Sequence, residues 1–186
     1  MPEIYLGAHG GVIASTVQFS PKMEGMSPIT NGTLLGGNGG LVFRYSAQKC
    51  CALQIELNYM ERGWRQYSAT KDCKYRLRYV EVPFLMHIYF GLPSWRGFVN
   101  AGPQIGYCVE NDSYVNLENH FDWGIAAGVG VCCRTRSAGL YQLEVRFNYG
   151  FGTIYSHQST DYFKSSNPMD LSLNVAWLWE FKRKMR

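Results

Sequence analysis

The chain has 186 residues with 18 Lys or Arg against 14 Asp or Glu, a formal net charge of +4, and only 17% of its residues are charged. A typical soluble domain is about 25% charged, whereas here 46% of residues are hydrophobic and 15% aromatic, which excludes a disordered or collagen-like chain. No uninterrupted apolar run approaches the ~18 residues that a spanning helix needs. The first residues show no signal-peptide pattern, so we expect any export signal to have been removed before residue 1.

Alternation of apolar and polar residues with a period of two, typical of β-strands with one buried face, recurs along most of the chain. It is clearest near the C-terminus, where apolar residues occupy every second position from Leu171 to Phe181. A sustained helical pattern is nearly absent. In chain order, strands are predicted near residues 3–13, 33–46, 53–62, 76–91, 97–109, 122–134, 141–151 and 170–181. Eight strands are enough to close a barrel.

The connections between these strands alternate between short and long, as in an up-and-down antiparallel barrel. The predicted short turns are Ala47–Cys51, Leu92–Arg96 and Thr135–Gly139. The predicted long loops are centred on Pro21–Thr30, Arg65–Tyr75, Glu110–Phe121 and Thr153–Pro168. We therefore predict one all-β domain over residues 1–186, an eight-stranded antiparallel up-and-down barrel with a basic tail at residues 182–186.

The charged residues indicate which face of the barrel is enclosed. All seven lysines fall in predicted loops or in the tail, although a water-facing strand surface tolerates Lys well. The polar face instead carries Glu and Arg in near balance, as expected where desolvated charges must neutralise one another. The residues predicted to form this lumenal network are Arg44, Glu56, Arg62, Glu81, His87, Glu144, Arg146 and Glu180. They form either a hydrogen-bonded core or a site for a polar ligand.

The aromatic residues of the apolar face gather near the ends of the predicted strands. One rim holds Tyr45, Phe90, Trp95, Tyr141, Trp179 and Phe181, and the other holds Tyr59, Trp64, Tyr107, Trp123 and Tyr149. Two aromatic girdles around an apolar band are typical of a transmembrane β-barrel. The alternative is a soluble barrel with an aromatic core.

Six motifs along the chain also point to a family. They are Leu6–Gly11, Gln54–Tyr59 followed by Arg62 and Gly63, Tyr79–Leu85, Ala101–Tyr107, Gly124–Val131 and Leu143–Gly150. In this order they resemble the small outer-membrane β-barrel domain of Bacteroidetes typified by PorT-like proteins. The resemblance covers essentially the whole chain and implies a place in the bacterial outer membrane. For the namesake it also implies a part in protein export by the type IX secretion machinery. The six cysteines and the basic tail depart from the usual pattern.

Residues with catalytic or metal-binding chemistry form no recognisable site. No Cys-x-x-Cys spacing occurs, and the cysteines are expected to be small buried residues, with a Cys73–Cys108 disulfide as the alternative. His87 has no nucleophile at a recognisable spacing, and Ser156 beside His157 is expected to be a coincidence in a loop. We therefore expect no metal, no cofactor, no enzymatic activity and no binding of nucleic acid.

A filled lumen leaves the loops and the lipid-facing wall for function, because eight strands enclose little more than their own side chains. We expect a non-enzymatic membrane scaffold or accessory component of a secretion or uptake assembly. Its expected partners are outer-membrane lipid and other outer-membrane or periplasmic proteins. Apolar loop residues suited to binding are Phe19, Pro21, Met23, Met26, Pro28, Tyr155, Tyr162 and Phe163. One alternative is a barrel that binds an apolar or lipid ligand, either as a lipocalin-like protein or as an outer-membrane transport protein. Another is a lipid-modifying enzyme that uses His87.

Overall fold

The computed structural model describes residues 3–21, 31–48, 50–67, 72–91, 95–111, 120–135, 139–152 and 163–181. Eight strands occupy these ranges: β1 Glu3–Pro21, β2 Asn31–Gln48, β3 Cys51–Tyr67, β4 Asp72–Gly91, β5 Trp95–Asn111, β6 Phe121–Thr135, β7 Gly139–Gly150 and β8 Phe163–Phe181. Most of the apolar loop residues named above, Ser156, His157 and the tail lie outside the described part, as do the side chains of Phe19, Pro21 and Phe163.

Each strand pairs with its neighbours in sequence, and β1 pairs with β8, so the sheet closes into a barrel. All eight pairings are antiparallel. Closure leaves no unpaired sheet edge, which is what a spanning sheet requires in lipid. The prediction of an eight-stranded antiparallel up-and-down barrel is confirmed. Across the described residues, no helix is long and apolar enough to cross a membrane.

The strands reach further into the predicted long loops than the alternation indicated. β1 continues to Pro21, and β8 begins at Phe163 rather than near residue 170. The prediction that no lysine lies in a strand was therefore wrong for Lys74 in β4 and Lys164 in β8. About 10 residues of a tilted strand cross the hydrocarbon layer. A strand of 19 or 20 residues extends beyond it into water, where apolar alternation is no longer required.

The apolar residues of the alternating pattern face outward, away from the lumen. Along β7 and β8, for example, Leu143 is 46% and Val175 is 58% exposed. The rim residues described at the short-turn end are also outward, from Tyr45 at 39% to Trp95 at 63% exposed. At the other end Tyr59, Tyr107 and Trp123 are each more than half exposed. A soluble barrel with an aromatic core requires the opposite orientation.

A layer of apolar side chains crosses the lumen near the short-turn end, which also holds the starts of β1 and β7 and the end of β8. We refer to it as the apolar layer. Its members are Tyr5, Val42, Phe98, Cys132, Leu140, Ala176 and Leu178, with Tyr89 packed against them. Gly91 and Gly139 lie at this end with φ of 107° and 92°, a backbone conformation that favours glycine. The apolar layer forms the floor of the polar lumen.

Candidate functional site

The centre of the lumen is organised by Arg146, which projects inward from β7. Its guanidinium donates to both carboxylate oxygens of Glu56 on β3, at 2.6 and 2.7 Å. Its Nε donates to Glu144 Oε1 at 2.6 Å. None of the three residues is more than 4% exposed. A two-pronged bond of this kind fixes geometry as well as charge, so Arg146 ties two separate walls of the barrel together.

Amide side chains surround these charges and complete a set that we call the central network. Its members are Arg44, Gln54, Glu56, Asn58, Asn100, Gln142, Glu144 and Arg146. Asn58 donates to Glu56 at 2.8 Å, and Gln142 donates to Glu144 at 2.6 Å. Arg44 donates to Gln54 at 2.6 Å and also to Gln142. Two arginines face two glutamates, so the formal charge of the central network is zero.

A second group of charges lies closer to the end with the long loops. We call it the acidic cluster, and it consists of Arg62, Glu81, Asp122 and Asp170. The guanidinium of Arg62 is 2.8 Å from Glu81, 3.3 Å from Asp122 and 2.5 Å from Asp170. The central carbon of the Arg62 guanidinium, Cζ, also lies 5.4 Å from the centre of the Tyr79 ring. One arginine faces three carboxylates, so this cluster carries an excess of two negative formal charges.

The structure divides the predicted lumenal residues among these groups. Arg44, Glu56, Glu144 and Arg146 belong to the central network. Arg62 and Glu81 belong to the acidic cluster.

Glu180 does not lie in the closed lumen with the others. Its side chain is 22% exposed at the short-turn rim, where it accepts a hydrogen bond from Arg134 at 2.8 Å. Arg134 also donates to Glu3 at 3.1 Å. Glu180 is the next-to-last residue of β8, and the end of a strand lies at the mouth of a barrel, which explains the partial exposure of its side chain.

His87 lies between the apolar layer and the central network and is fully buried. Its ring is stacked near Tyr89, with centroids 5.9 Å apart, and tilted against Phe98 at 5.2 Å. Its Nε2 is 3.4 Å from the Asn100 amide, and its Nδ1 has no hydrogen-bond partner among the described residues. His87 therefore packs as a core residue.

Sequence reasoning missed several members of these groups. Asp122 and Asp170 were not singled out, although Asp170 stands on the polar face of the last predicted strand. The amides of the central network were not singled out either. The inward periodicity was the available signal, because each of these residues lies two positions from another inward residue.

Cysteines and metal-ligand chemistry do not converge on a site. Cys108 and Cys132 are buried, and Cys108 carries a free thiol. The side chain of Cys73, the other half of the alternative disulfide, lies outside the described residues. Within the described ranges, no group of three or more His, Cys, Asp or Glu side chains is arranged to hold a metal ion.

Comparison with known proteins places this geometry in context. Residues 3–156 match the family model described as outer membrane protein beta-barrel domain. The outer membrane protein OprG from Pseudomonas aeruginosa superposes with a TM-score of 0.64 at 11% identity over 97% of both chains. Neisserial surface protein A superposes with a TM-score of 0.54 at 14% identity, over 94% of this chain and 96% of that one. The outer membrane protein AlkL, solved in lipid bilayers, superposes with a TM-score of 0.53 at 12% identity, over 97% of this chain and 93% of that one. No curated protein matches the chain in sequence.

Proposed function

Because the chain belongs to the outer membrane protein β-barrel domain family and lies in the bacterial outer membrane, we propose that it is a non-enzymatic structural or accessory component of a membrane assembly. It acts through its external loops or its lipid-facing wall. The observation that carries this proposal is the filled lumen, in which the side chains of the central network and the apolar layer are buried.

Two consecutive barriers fill the lumen. The central network joins opposite walls through Arg146, whose three hydrogen bonds to Glu56 and Glu144 are all 2.7 Å or shorter. The apolar layer closes the short-turn end, with Phe98 and Leu178 fully buried. Opening a path would separate buried charged partners, at a cost of several kcal/mol for each pair. Transport through the lumen is therefore a poorer proposal than a role on the outer surfaces.

The same packing supports the absence of catalysis. The buried carboxylates of the central network are bound to arginine and amide groups rather than presented at a cleft. His87 is enclosed between Tyr89, Phe98 and Asn100, where a lipid substrate has no access to it. A lipid-modifying enzyme that depends on His87 is accordingly disfavoured.

The resemblance to PorT-like barrels of Bacteroidetes supports a protein-export assembly, of the type IX kind, as the first candidate. The description of the family model matched by residues 3–156 names the outer-membrane barrel and no export machinery. The proposed partners are outer-membrane lipid and other outer-membrane or periplasmic proteins.

Copurification from native membranes tests the accessory role. The tagged chain is crosslinked in cells, extracted in a mild detergent and analysed by mass spectrometry, with another eight-stranded barrel as the control bait. We expect a defined set of envelope proteins with this chain and not with the control. A consistently solitary protein contradicts the proposal. Planar-bilayer recordings provide a second readout, in which steady conductance through the purified barrel contradicts a filled lumen.

One observation favours the alternative of an apolar or lipid ligand. The outer wall has a recess of about 510 Å³ lined by Leu41, Leu57, Tyr59 and Val80 over glycine backbone. The lipocalin-like form of this alternative needs an apolar interior, whereas the middle of this lumen is polar. Refolding without detergent separates the two forms, because a lipid-facing wall aggregates in water and a lipocalin-like barrel stays dissolved.

A further inference from the structure

Two amide side chains beside the acidic cluster are buried without hydrogen-bond partners. Gln104 of β5 is 3% exposed, and neither its Oε1 nor its Nε2 has a partner among the described residues. Asn148 of β7 is also 3% exposed, and its Oδ1 is unpartnered within the same part of the chain. Burying a polar group without a partner is costly, so two such amides in one lumen require an explanation.

The strand register directs both amides toward the acidic cluster. Asn148 pairs with Asp170 of β8, and both side chains are buried in the lumen. Gln104 pairs with Gly124 of β6, and the next inward residue of β6 is Asp122. Gly124 has no side chain to separate them, and a diagonal distance of about 7–8 Å across paired strands is within reach of a long side chain. The two amides therefore flank the acidic cluster from β5 and from β7.

The acidic cluster adds charge and a free carboxylate oxygen to these amides. Asp170 approaches Arg62 Nε through its Oδ2 at 2.5 Å, whereas its Oδ1 has no hydrogen-bond partner in the described ranges. Glu81 and Asp122 also converge on Arg62, so the three carboxylates do not share a metal among themselves. A cation beside them meets one free carboxylate oxygen together with amide oxygens from two other strands. The excess of two negative formal charges favours a cation there over an anion or a neutral group.

These ligands and this charge favour calcium. Ca²⁺ binds carboxylate, amide and water oxygens in a flexible geometry, whereas Mg²⁺ requires near-ideal octahedral geometry and keeps most of its waters. The charge of the ion equals the excess negative formal charge of the acidic cluster. The cluster lies toward the long loops, which are external in barrels of this kind, and the central network and the apolar layer separate it from the periplasmic end. The ion would therefore come from the external side.

We propose that the external part of the lumen binds one calcium ion, with Asp170 Oδ1, Asn148 Oδ1 and Gln104 Oε1 among its ligands. The ion compensates the excess charge of the acidic cluster and satisfies the buried amide oxygens, and water supplies the remaining ligands. The site goes beyond the proposed accessory role and rests only on the lumenal geometry. Its failure leaves the copurification test untouched.

Calcium binding by the purified barrel tests the proposal directly. The protein is stripped with a chelator in detergent and dialysed against radioactive calcium in excess potassium chloride, which screens nonspecific attraction to surface charges. We expect one ion per barrel with a dissociation constant of ~10⁻⁴–10⁻³ M, the range of extracellular calcium modules. Absence of bound calcium over this range overturns the proposal.

Two variants locate the ion in the lumen. Asn148→Leu removes an amide oxygen and Asp170→Asn removes the charge of the carboxylate, and each should weaken calcium binding about tenfold because affinity follows the charge and number of ligands. Glu110→Gln is the matched control, since Glu110 is a carboxylate toward the same end of the barrel that is 62% exposed and paired with Arg78. Unchanged binding in either lumenal variant, or an equal loss in the control, overturns the proposal.

Urea unfolding in detergent provides a second readout. Calcium should raise the unfolding midpoint of the wild-type barrel, because a ligand that binds only the folded state stabilises it. Potassium chloride at equal ionic strength should not reproduce this rise, and Asn148→Leu should show a smaller one. A rise of equal size in Asn148→Leu overturns the proposal. Heat-modifiable migration on gels confirms that each variant is folded before calcium is added, so a lost site is distinguished from a lost barrel.

Discussion

The central network and the acidic cluster are both buried in one lumen, yet they balance charge in different ways. The central network contains two arginines and two glutamates: Arg146 binds both Glu56 and Glu144, and Arg44 binds Gln54 and Gln142. In the acidic cluster, Arg62 alone serves three carboxylates. Removing a charge from a balanced set leaves its partner uncompensated, whereas removing one from an overcharged set relieves repulsion. Removing one negative charge should therefore lower the free energy of unfolding in the central network and raise it in the acidic cluster.

The largest effect is expected from Arg146→Met in the central network. The change removes three hydrogen bonds and leaves the carboxylates of Glu56 and Glu144 buried without their guanidinium. The free energy of unfolding should fall by about 3–5 kcal/mol or more, since two carboxylates lose one cation. Urea unfolding in detergent micelles, followed by heat-modifiable migration, measures it. Unchanged stability contradicts an essential role for Arg146 in tying the two walls together.

A smaller loss is expected from Glu144→Ala. It leaves Arg146 paired with Glu56 but removes the acceptor used by Asn100, Gln142 and Arg146. We expect a loss on the order of 3 kcal/mol, at the lower end of the range for a broken buried pair. Glu144→Gln is the control, because it keeps one acceptor oxygen and should restore part of the stability. A wild-type melting temperature in detergent for Glu144→Ala shows that the side chain is not part of a paired core.

The acidic cluster should respond in the opposite direction to Asp122→Asn. Asp122 is the most distant of the three carboxylates from Arg62, at 3.3 Å, and it accepts from the Gly152 backbone N–H at 3.2 Å. An amide keeps one acceptor oxygen, which can still accept from the Gly152 N–H, and removes one of the excess negative charges. We expect the free energy of unfolding at neutral pH to rise by about 1 kcal/mol, which lies within the range of interaction energies between neighbouring residues. A loss comparable with that of Glu144→Ala contradicts the charge imbalance.

The smallest effect belongs to the rim, where Arg134→Met removes ion pairs with Glu3 and Glu180. The three side chains are 22–34% exposed, so solvent and salt screen the pairs. The expected loss is about 0.5 kcal/mol, and it should shrink further in high salt. A larger loss of stability than that of Glu144→Ala contradicts the distinction between exposed rim pairs and buried lumenal pairs.

The barrel itself was largely predictable from local patterns. Every second residue from Leu171 to Phe181 is apolar, and that period sets which side chains of β8 share a face. The distribution of charged residues then indicated that the apolar face is the outward one. The strand ends at the long loops were not predictable, since β1 and β8 continue past the apolar band where no alternation marks them. Glu180 was assigned to the lumen on period alone, which does not report the height of a residue within the barrel.

The groups within the lumen were only partly predictable. Glu56, Glu144 and Arg146 were named for their type and face, but their pairing was not evident, because Glu56 and Arg146 are 90 positions apart. Asp170 meets Arg62 through the closure of the barrel, which no local pattern encodes. The outward glycines of β2, Gly37 and Gly39, carry no periodic signal, since glycine interrupts alternation instead of marking a face.

The sequence by itself determined the strand number, the outward apolar face and the inward position of the charges, because the two-residue period sorts side chains between two faces and the charged residues indicate which face is enclosed. The tertiary structure decided which charges meet. Closure and stagger of the eight strands set the height of each inward residue within the barrel. They place two arginines and two glutamates in one layer, and one arginine and three carboxylates in another.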